Sequence, residues 1–244
     1  MKKLIAIIAI LALATTAFAT ESNPSETVGF VKVVADVGFT PFALPFTFYD
    51  ATHTQTMELD DIIGDQLTPG LAFNADKLWD QNDFITAYLN QTTGLWTGTL
   101  ADSGFTLGHA YYIENKHDST EVYLAGEVDQ SSVDYGLFAM GFTPVGVREA
   151  GTPLLDDCDL LSSGFTGGLA FNSDKIWDMN DFTTAWYNTT TNSWVGFQNL
   201  QPGHFYYMEV KNTPFTWIYD PLSKGTKVGS KVKINKVTKP VNFK

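Results

Sequence analysis

Three aspartates in one short stretch could together hold a metal ion. Asp76, Asp80 and Asp83 lie in "NADKLWDQND", and the same spacing returns 98 residues later in "NSDKIWDMND". Carboxylate oxygens clustered around a turn are the ligands that Ca²⁺ prefers, although the central glycine and terminal glutamate of the EF-hand loop are missing. Turn chemistry is the alternative, because Asp and Asn also accept hydrogen bonds from nearby backbone N–H groups. The candidate calcium ligands are Asp76, Asp80, Asp83, Asp174, Asp178 and Asp181.

The same carboxylates could be read as the acid pair of a glycosidase. Their duplication counts against this, because an enzyme rarely keeps two copies of one active site in so short a chain. A hydrolytic nucleophile needs a base and an orienting group, and the chain has four histidines and no G-x-S-x-G motif. It also has no H-E-x-x-H motif and a single cysteine. We therefore expect no enzymatic activity, no catalytic residues and no obligatory cofactor.

Large aromatic residues recur at equivalent positions and could either fill a core or bind a ligand. An aromatic side chain buries about 150–250 Å² and dominates a small core. We expect Phe73, Phe84 and their repeats Phe171 and Phe182 in the core, and core packing is also the first expectation for Trp79 and Trp177. Solvent-facing tryptophan and tyrosine rings would instead serve as stacking platforms for sugars. The candidate platforms are Trp79, Trp177, Tyr88 and Trp186.

These residues belong to a long internal repeat. Between residues 71–98 and 169–196, about two-thirds of the positions are identical without a gap. "GFTP" precedes both copies, and "GHAYYIE" and "GHFYYME" follow them. A period of about 100 residues is too long for a solenoid and fits a duplicated domain. We predict two tandem modules, residues 26–128 and 132–220.

The sequence of each module is typical of an all-β domain. "KLWD", "FITAYLN" and "LWTG" are short β-rich segments separated by Asn, Asp, Thr and Gly, which predicts a three-stranded meander. The alternation in "ETVGFVKVV" predicts a first strand with Val28, Phe30 and Val33 toward the core. Asp60 and Asp61 before an apolar pair indicate one or two helical turns. The expected architecture is a pair of β-sandwich or barrel-like modules.

Several motifs resemble a tandem module of uncharacterised exported proteins in environmental Gram-negative bacteria. They are the "VGFVK" start, the Trp-rich meander and the Pro-Gly turn of "LQPGHFYYMEV", which the first module replaces by "FTLGHAYYIE". The resemblance extends over most of residues 26–220. It implies an exported β-module, and it implies no activity.

The two ends of the chain differ from the body. Lys2 and Lys3, an apolar run and Ala17-Phe18-Ala19 predict a signal peptide over residues 1–19, so we expect a secreted protein, periplasmic or extracellular, without a membrane span after cleavage. From residue 21 to 220, 27 acidic residues face six basic ones, a net charge of −21 that disfavours nucleic acid as a partner.

Residues 221–244 form a basic tail with seven lysines and no acid. The tail is either disordered or an extended arm that docks on an acidic surface and drives self-assembly. Duplication without a catalytic constellation predicts a non-catalytic structural or adhesive protein of the cell surface or extracellular matrix. The alternative is a carbohydrate-binding protein. The expected partners are a polysaccharide or another cell-surface protein.

Overall fold

The computed structural model is nearly all β and confirms the predicted fold class. It describes residues 28–50, 52, 54–129 and 131–220. The predicted signal peptide and the basic tail lie outside the described residues.

The first module combines a two-stranded and a five-stranded sheet, both antiparallel. The two-stranded sheet pairs β1 with β7, and the order of the larger sheet is β2-β6-β3-β4-β5. The elements are β1 Val28–Ala35, β2 Gly38–Ala43, α1 Leu59–Ile62, β3 Lys77–Asp80, β4 Ile85–Leu89, β5 Trp96–Thr97, α2 Thr99–Ser103, β6 Ala110–Asn115 and β7 Thr120–Glu127.

The second module repeats this topology. Its two-stranded sheet pairs β8 with β14, and its larger sheet has the order β9-β13-β10-β11-β12. The two halves are therefore repeated and sandwich-like. The elements are β8 Val133–Phe138, β9 Gly141–Gly146, a 3₁₀ helix Leu155–Asp157, α3 Leu160–Ser163, β10 Lys175–Asp178, β11 Thr183–Asn188, β12 Ser193–Gly196, β13 Phe205–Val210 and β14 Phe215–Tyr219.

The period-2 alternation of the strands separates a core face from an outer face, as the sequence predicts. On β3 and β6, Leu78, Tyr111 and Ile113 are fully buried, whereas Trp79 and Tyr112 lie half-buried on the opposite face. The predicted meander is β3-β4-β5 in the first module and β10-β11-β12 in the second. The single helical turn at 59–62 is confirmed as well.

Each module has its own hydrophobic cluster. The first is built from residues between Val33 and Leu124, and the second from residues between Phe138 and Tyr219. Cys158 belongs to the second cluster, where it is fully buried and acts as a small apolar residue.

The expected core position of four phenylalanines is wrong. The exposed fractions of Phe73 and Phe84 are 75% and 76%, and those of Phe171 and Phe182 are 75% and 81%. All four lie in turns beside β3 or β10, where the backbone no longer alternates between core and solvent. Strand periodicity therefore says nothing about their direction.

The face assigned to β1 is wrong in part. Val33 is buried as expected, but Val28 and Phe30 are exposed. Residues 28 and 30 share one side of a strand, and residue 33 lies on the other. The side of β1 that packs into the core is the one with Val33 and Ala35.

The two modules pack against each other through equivalent groups. The Asn82 side chain donates to the Pro144 carbonyl over 3.0 Å, and Asn180 donates to the Pro41 carbonyl over 2.8 Å. Pro41 and Pro144 are the prolines of the repeated "GFTP". Each bond is thus the counterpart of the other, which is the pattern of a two-fold, isologous contact.

A second pair of bonds follows the same two-fold rule. Gly146 N–H donates to the Gly108 carbonyl, and Ala43 N–H donates to the Gly203 carbonyl, both over 2.8 Å. A side chain at Gly146 would collide with the carbonyl oxygen of His109. Glycine is therefore required at this contact between the modules.

The predicted module boundary is open to a direct test. Because each module has its own buried cluster, we expect at least one of the fragments 20–128 and 129–220 to unfold cooperatively. Circular dichroism during urea titration measures this. If both fragments are unfolded while the whole chain folds, the two halves share one cooperative unit and the boundary is wrong.

Candidate functional site

The turn after β3 is organised by the buried carboxylate of Asp80. One oxygen accepts the backbone N–H groups of Asn82 and Asp83, at 2.8 and 3.2 Å. The other lies 2.8 Å from Nδ1 of His109. Asp178 makes the corresponding contacts with Asn180, Asp181 and His204 after β10.

Burial and charge act in opposite directions on His109. Burial lowers its pKa, but the hydrogen bond to Asp80 and the Asp80 charge together outweigh burial, so the pKa is raised. The carboxylate thus acts as a structural anchor that holds the turn and the start of β6 together.

Asp76 performs a separate structural role at the other end of β3. Its oxygens accept the backbone N–H groups of Thr68 and Lys116, each at 2.9 Å. Asp174 accepts the equivalent bonds from Thr166 and Lys211. These contacts tie the loop before the strand to the end of the neighbouring strand.

The structure divides the predicted calcium ligands into two groups. Asp80 and Asp83 come together with His109, and Asp178 and Asp181 with His204, with ligand atoms within 4.8 Å of one another. Asp76 and Asp174 belong to neither cluster, because a strand separates them from the turn. The calcium hypothesis stays a prediction, and backbone donors already occupy the Asp80 and Asp178 oxygens.

The four candidate platforms share the outer face of the two five-stranded sheets. Trp79 is paired with Thr86 and Tyr112, and Tyr88 with Lys77, so these side chains point to the same side. In the second module Trp177 and Trp186 take the equivalent places. All four rings are half-buried.

The Trp79 ring is held in one orientation by its neighbours. Its Nε1 donates to Glu114 over 2.9 Å, and the Lys77 ammonium lies 5.9 Å from the ring centroid. The Phe39 ring packs edge-on at 6.2 Å and also contacts Tyr112 at 6.0 Å. Trp177 repeats this arrangement with Glu209, Lys175, Phe142 and Tyr207.

Two of the exposed phenylalanines adopt an unfavourable backbone conformation. Phe84 has φ of 57° and Phe182 has φ of 52°, in the left-handed region. A bulky side chain there is a conformational outlier, at a cost of about 1–2 kcal/mol. Both residues directly follow the Asp-anchored turn. The same turn in both modules therefore projects a strained phenylalanine into solvent.

Several residues of this surface were not singled out from the sequence. Phe39 and Tyr112 reach Trp79 from β2 and β6, which are distant in the chain. Phe39 and Tyr112 recur as Phe142 and Tyr207 in the repeated "GFTP" and "YY" motifs, and this recurrence was the sequence signal that could have identified them. The bridging roles of Asn82 and Asn180 had no sequence signal beyond their recurrence.

Comparisons with protein-family models, curated proteins and solved structures found no match. The suggested module family therefore stays a prediction. Within the described residues, no helix is both long and apolar enough to cross a membrane.

Proposed function

We propose that this protein is a secreted, non-catalytic adhesive protein that binds through exposed aromatic rings on both modules. The observation that carries the proposal is the pair of strained phenylalanines, Phe84 and Phe182. An exposed ring contributes little to folding, and its left-handed backbone costs stability. A residue that costs stability in both modules is best explained by a contact outside the folded chain.

Phe73 and Phe171 support the same proposal. Both are three-quarters exposed at equivalent positions, and the Phe73 and Phe171 carbonyls are held by Lys116 and Lys211. The segments that carry these rings are thus tied to the sheet. Exposed apolar rings on an anchored backbone are typical of interaction surfaces.

Adhesion is tested by replacing these rings without disturbing the fold. We expect Phe84→Asn and Phe182→Asn together to leave the melting temperature unchanged or raised, because Asn tolerates the left-handed region. Adding Phe73→Asn and Phe171→Asn should reduce adsorption severalfold on polysaccharide-coated and hydrophobic surfaces, measured with a quartz-crystal microbalance. The matched control is Leu95→Asn, which removes another exposed apolar side chain. A quadruple variant that adsorbs like the unmodified protein contradicts the proposal.

Carbohydrate binding is the second candidate function. It is favoured by the placement of Trp79, Trp177, Tyr88 and Trp186 on outer sheet faces, since flat rings of this kind combine apolar area with polar edges. A pull-down with cellulose, chitin and xylan tests it. Retention of the mature chain on none of these polymers would count against sugars as the ligand.

A further inference from the structure

A cleft of about 350 Å³ lies where the two modules meet. The first module contributes Phe39, Pro41, Trp79, Gln81 and Tyr112. The second module contributes Met179 and the strained Phe182. The volume is in the range of small-molecule binding sites. The cleft is complete only when the modules are packed together.

The walls of the cleft are preformed. Phe39 meets Trp79 and Tyr112 edge-on, with interplanar angles of 61° and 88°, and Tyr112 packs on Phe205 of the other module at 5.1 Å. The bond from Trp79 to Glu114 fixes the indole. A ligand would therefore meet rings that are already in place, and little conformational entropy would be lost on binding.

A hydrogen bond between the two modules lies directly beside the cleft. Asn180 of the turn that carries Phe182 donates to the carbonyl of Pro41, which itself lines the cleft. This bond holds the second module's turn against β2 of the first. The position of the Phe182 ring over the cleft thus depends on the two-fold packing described above.

The cleft contains two uncharged polar side chains, Gln81 and Tyr112, that form no hydrogen bond within the described residues. Within the described part of the chain, no hydrogen bond reaches the Gln81 side-chain amide or the Tyr112 hydroxyl. Burial raises the pKa of Tyr112 to about 12, so the hydroxyl stays protonated at neutral pH and can donate. The cleft thus offers one amide and one hydroxyl among apolar rings.

The chemistry of the lining selects the class of ligand. No lining residue is charged, while residues 21–220 carry a net charge of −21. An anionic polymer would be repelled by the body and would find no counter-charge in the cleft. A ring with an apolar face and hydroxyl groups along its edge matches both the aromatic walls and the unused amide and hydroxyl.

We propose that the inter-module cleft binds pyranose units of a neutral polysaccharide, with Phe182 and Trp79 against the sugar faces and Gln81 and Tyr112 bonded to hydroxyl groups. This inference rests on the carbohydrate-binding candidate and assigns it a site. The second module repeats the wall, since Phe142 contacts Trp177 at 6.4 Å and Tyr207 at 6.2 Å. A polymer that reaches both walls binds more tightly than a short oligosaccharide.

The test measures binding of neutral hexasaccharides of cellulose, chitin and xylan by isothermal titration calorimetry, with hexagalacturonate as the anionic probe. The unmodified mature chain should bind at least one neutral hexasaccharide and not the anionic one. Phe182→Asn and Gln81→Ala should each weaken binding about tenfold or more. Leu95→Asn, which removes an exposed apolar side chain that does not line the cleft, should bind as the unmodified chain does.

The outcomes separate the two proposals. Equal affinity in Phe182→Asn and Gln81→Ala overturns the cleft assignment, and so does preference for hexagalacturonate or binding of no neutral hexasaccharide. Adhesion through Phe73 and Phe171 would stand in all three cases, because adsorption is measured on surfaces and neither residue lines the cleft. Unchanged adsorption of the quadruple variant, together with hexasaccharide binding by the unmodified chain, would instead reject the adhesive function and keep the cleft.

Discussion

Replacing Glu149 by Gln should raise the free energy of unfolding at pH 8 by about 2–3 kcal/mol. Glu149 is 8% exposed, and burial raises its pKa to about 7. Counted from the repeated "GFTP", it occupies the place of Phe46, which is a core residue of the first module. An ionised carboxylate in an apolar position costs free energy that a neutral amide does not.

The direction of the pH dependence follows from the sign of this shift. The folded state holds the Glu149 proton more tightly than the unfolded chain, whose pKa is near 4.5. The contribution of Glu149 to the free energy of unfolding is fully present below about pH 4.5 and is lost as the pH rises through 7. Burial is the largest cause of the raised pKa of Glu149. The charge of nearby Arg148 lowers this pKa, and the charge of Asp129 raises it.

Urea unfolding at pH 5, 6, 7 and 8 measures the effect. The unmodified chain should lose stability over this range relative to Glu149→Gln, and the two should converge at low pH. Asp156→Asn is the matched control, because Asp156 is an exposed acid of the same module. Parallel pH profiles for the unmodified chain and Glu149→Gln would show that Glu149 is not protonated in the folded state.

Asp80→Ala should destabilise the protein by about 3 kcal/mol, with or without calcium. The substitution leaves the N–H groups of Asn82 and Asp83 without their acceptor and His109 without its counter-charge. Removing a buried, hydrogen-bonded charge is among the costlier single changes. Asp178→Ala should have a similar effect, because its bonds are the same.

Thermal melts in EGTA and in 10 mM Ca²⁺ distinguish a structural carboxylate from a metal ligand. Asp83→Ala is the control, because the Asp83 side chain is 60% exposed and its loss should cost little. We expect the Asp80→Ala deficit to be equal in both buffers. A melting temperature of the unmodified chain that rises with Ca²⁺, and a rise that Asp80→Ala abolishes, would establish the calcium site instead.

The sequence alone determined the repeat, the all-β class and the meander. These features depend on neighbouring residues, since alternation along a strand and turn residues between strands are local signals. The repeat also placed the candidate residues at equivalent positions in pairs, such as Trp79 with Trp177. The sequence could not predict which way side chains in turns point. Phe84 and Phe182 lie in turns and have a left-handed backbone, so strand alternation does not apply to them.

Only the tertiary structure decided which of these residues meet. The chain groups Asp76 with Asp80, yet the intervening strand β3, four residues long, holds their carboxylates at opposite ends. His109 and Tyr112 arrive from β6 or its start, about 30 residues away, because β6 pairs with β3. The cleft depends on contacts between Asn180 and Pro41, which are separated by 139 residues. Such contacts arise from packing two folded modules, and local sequence patterns contain no information about it.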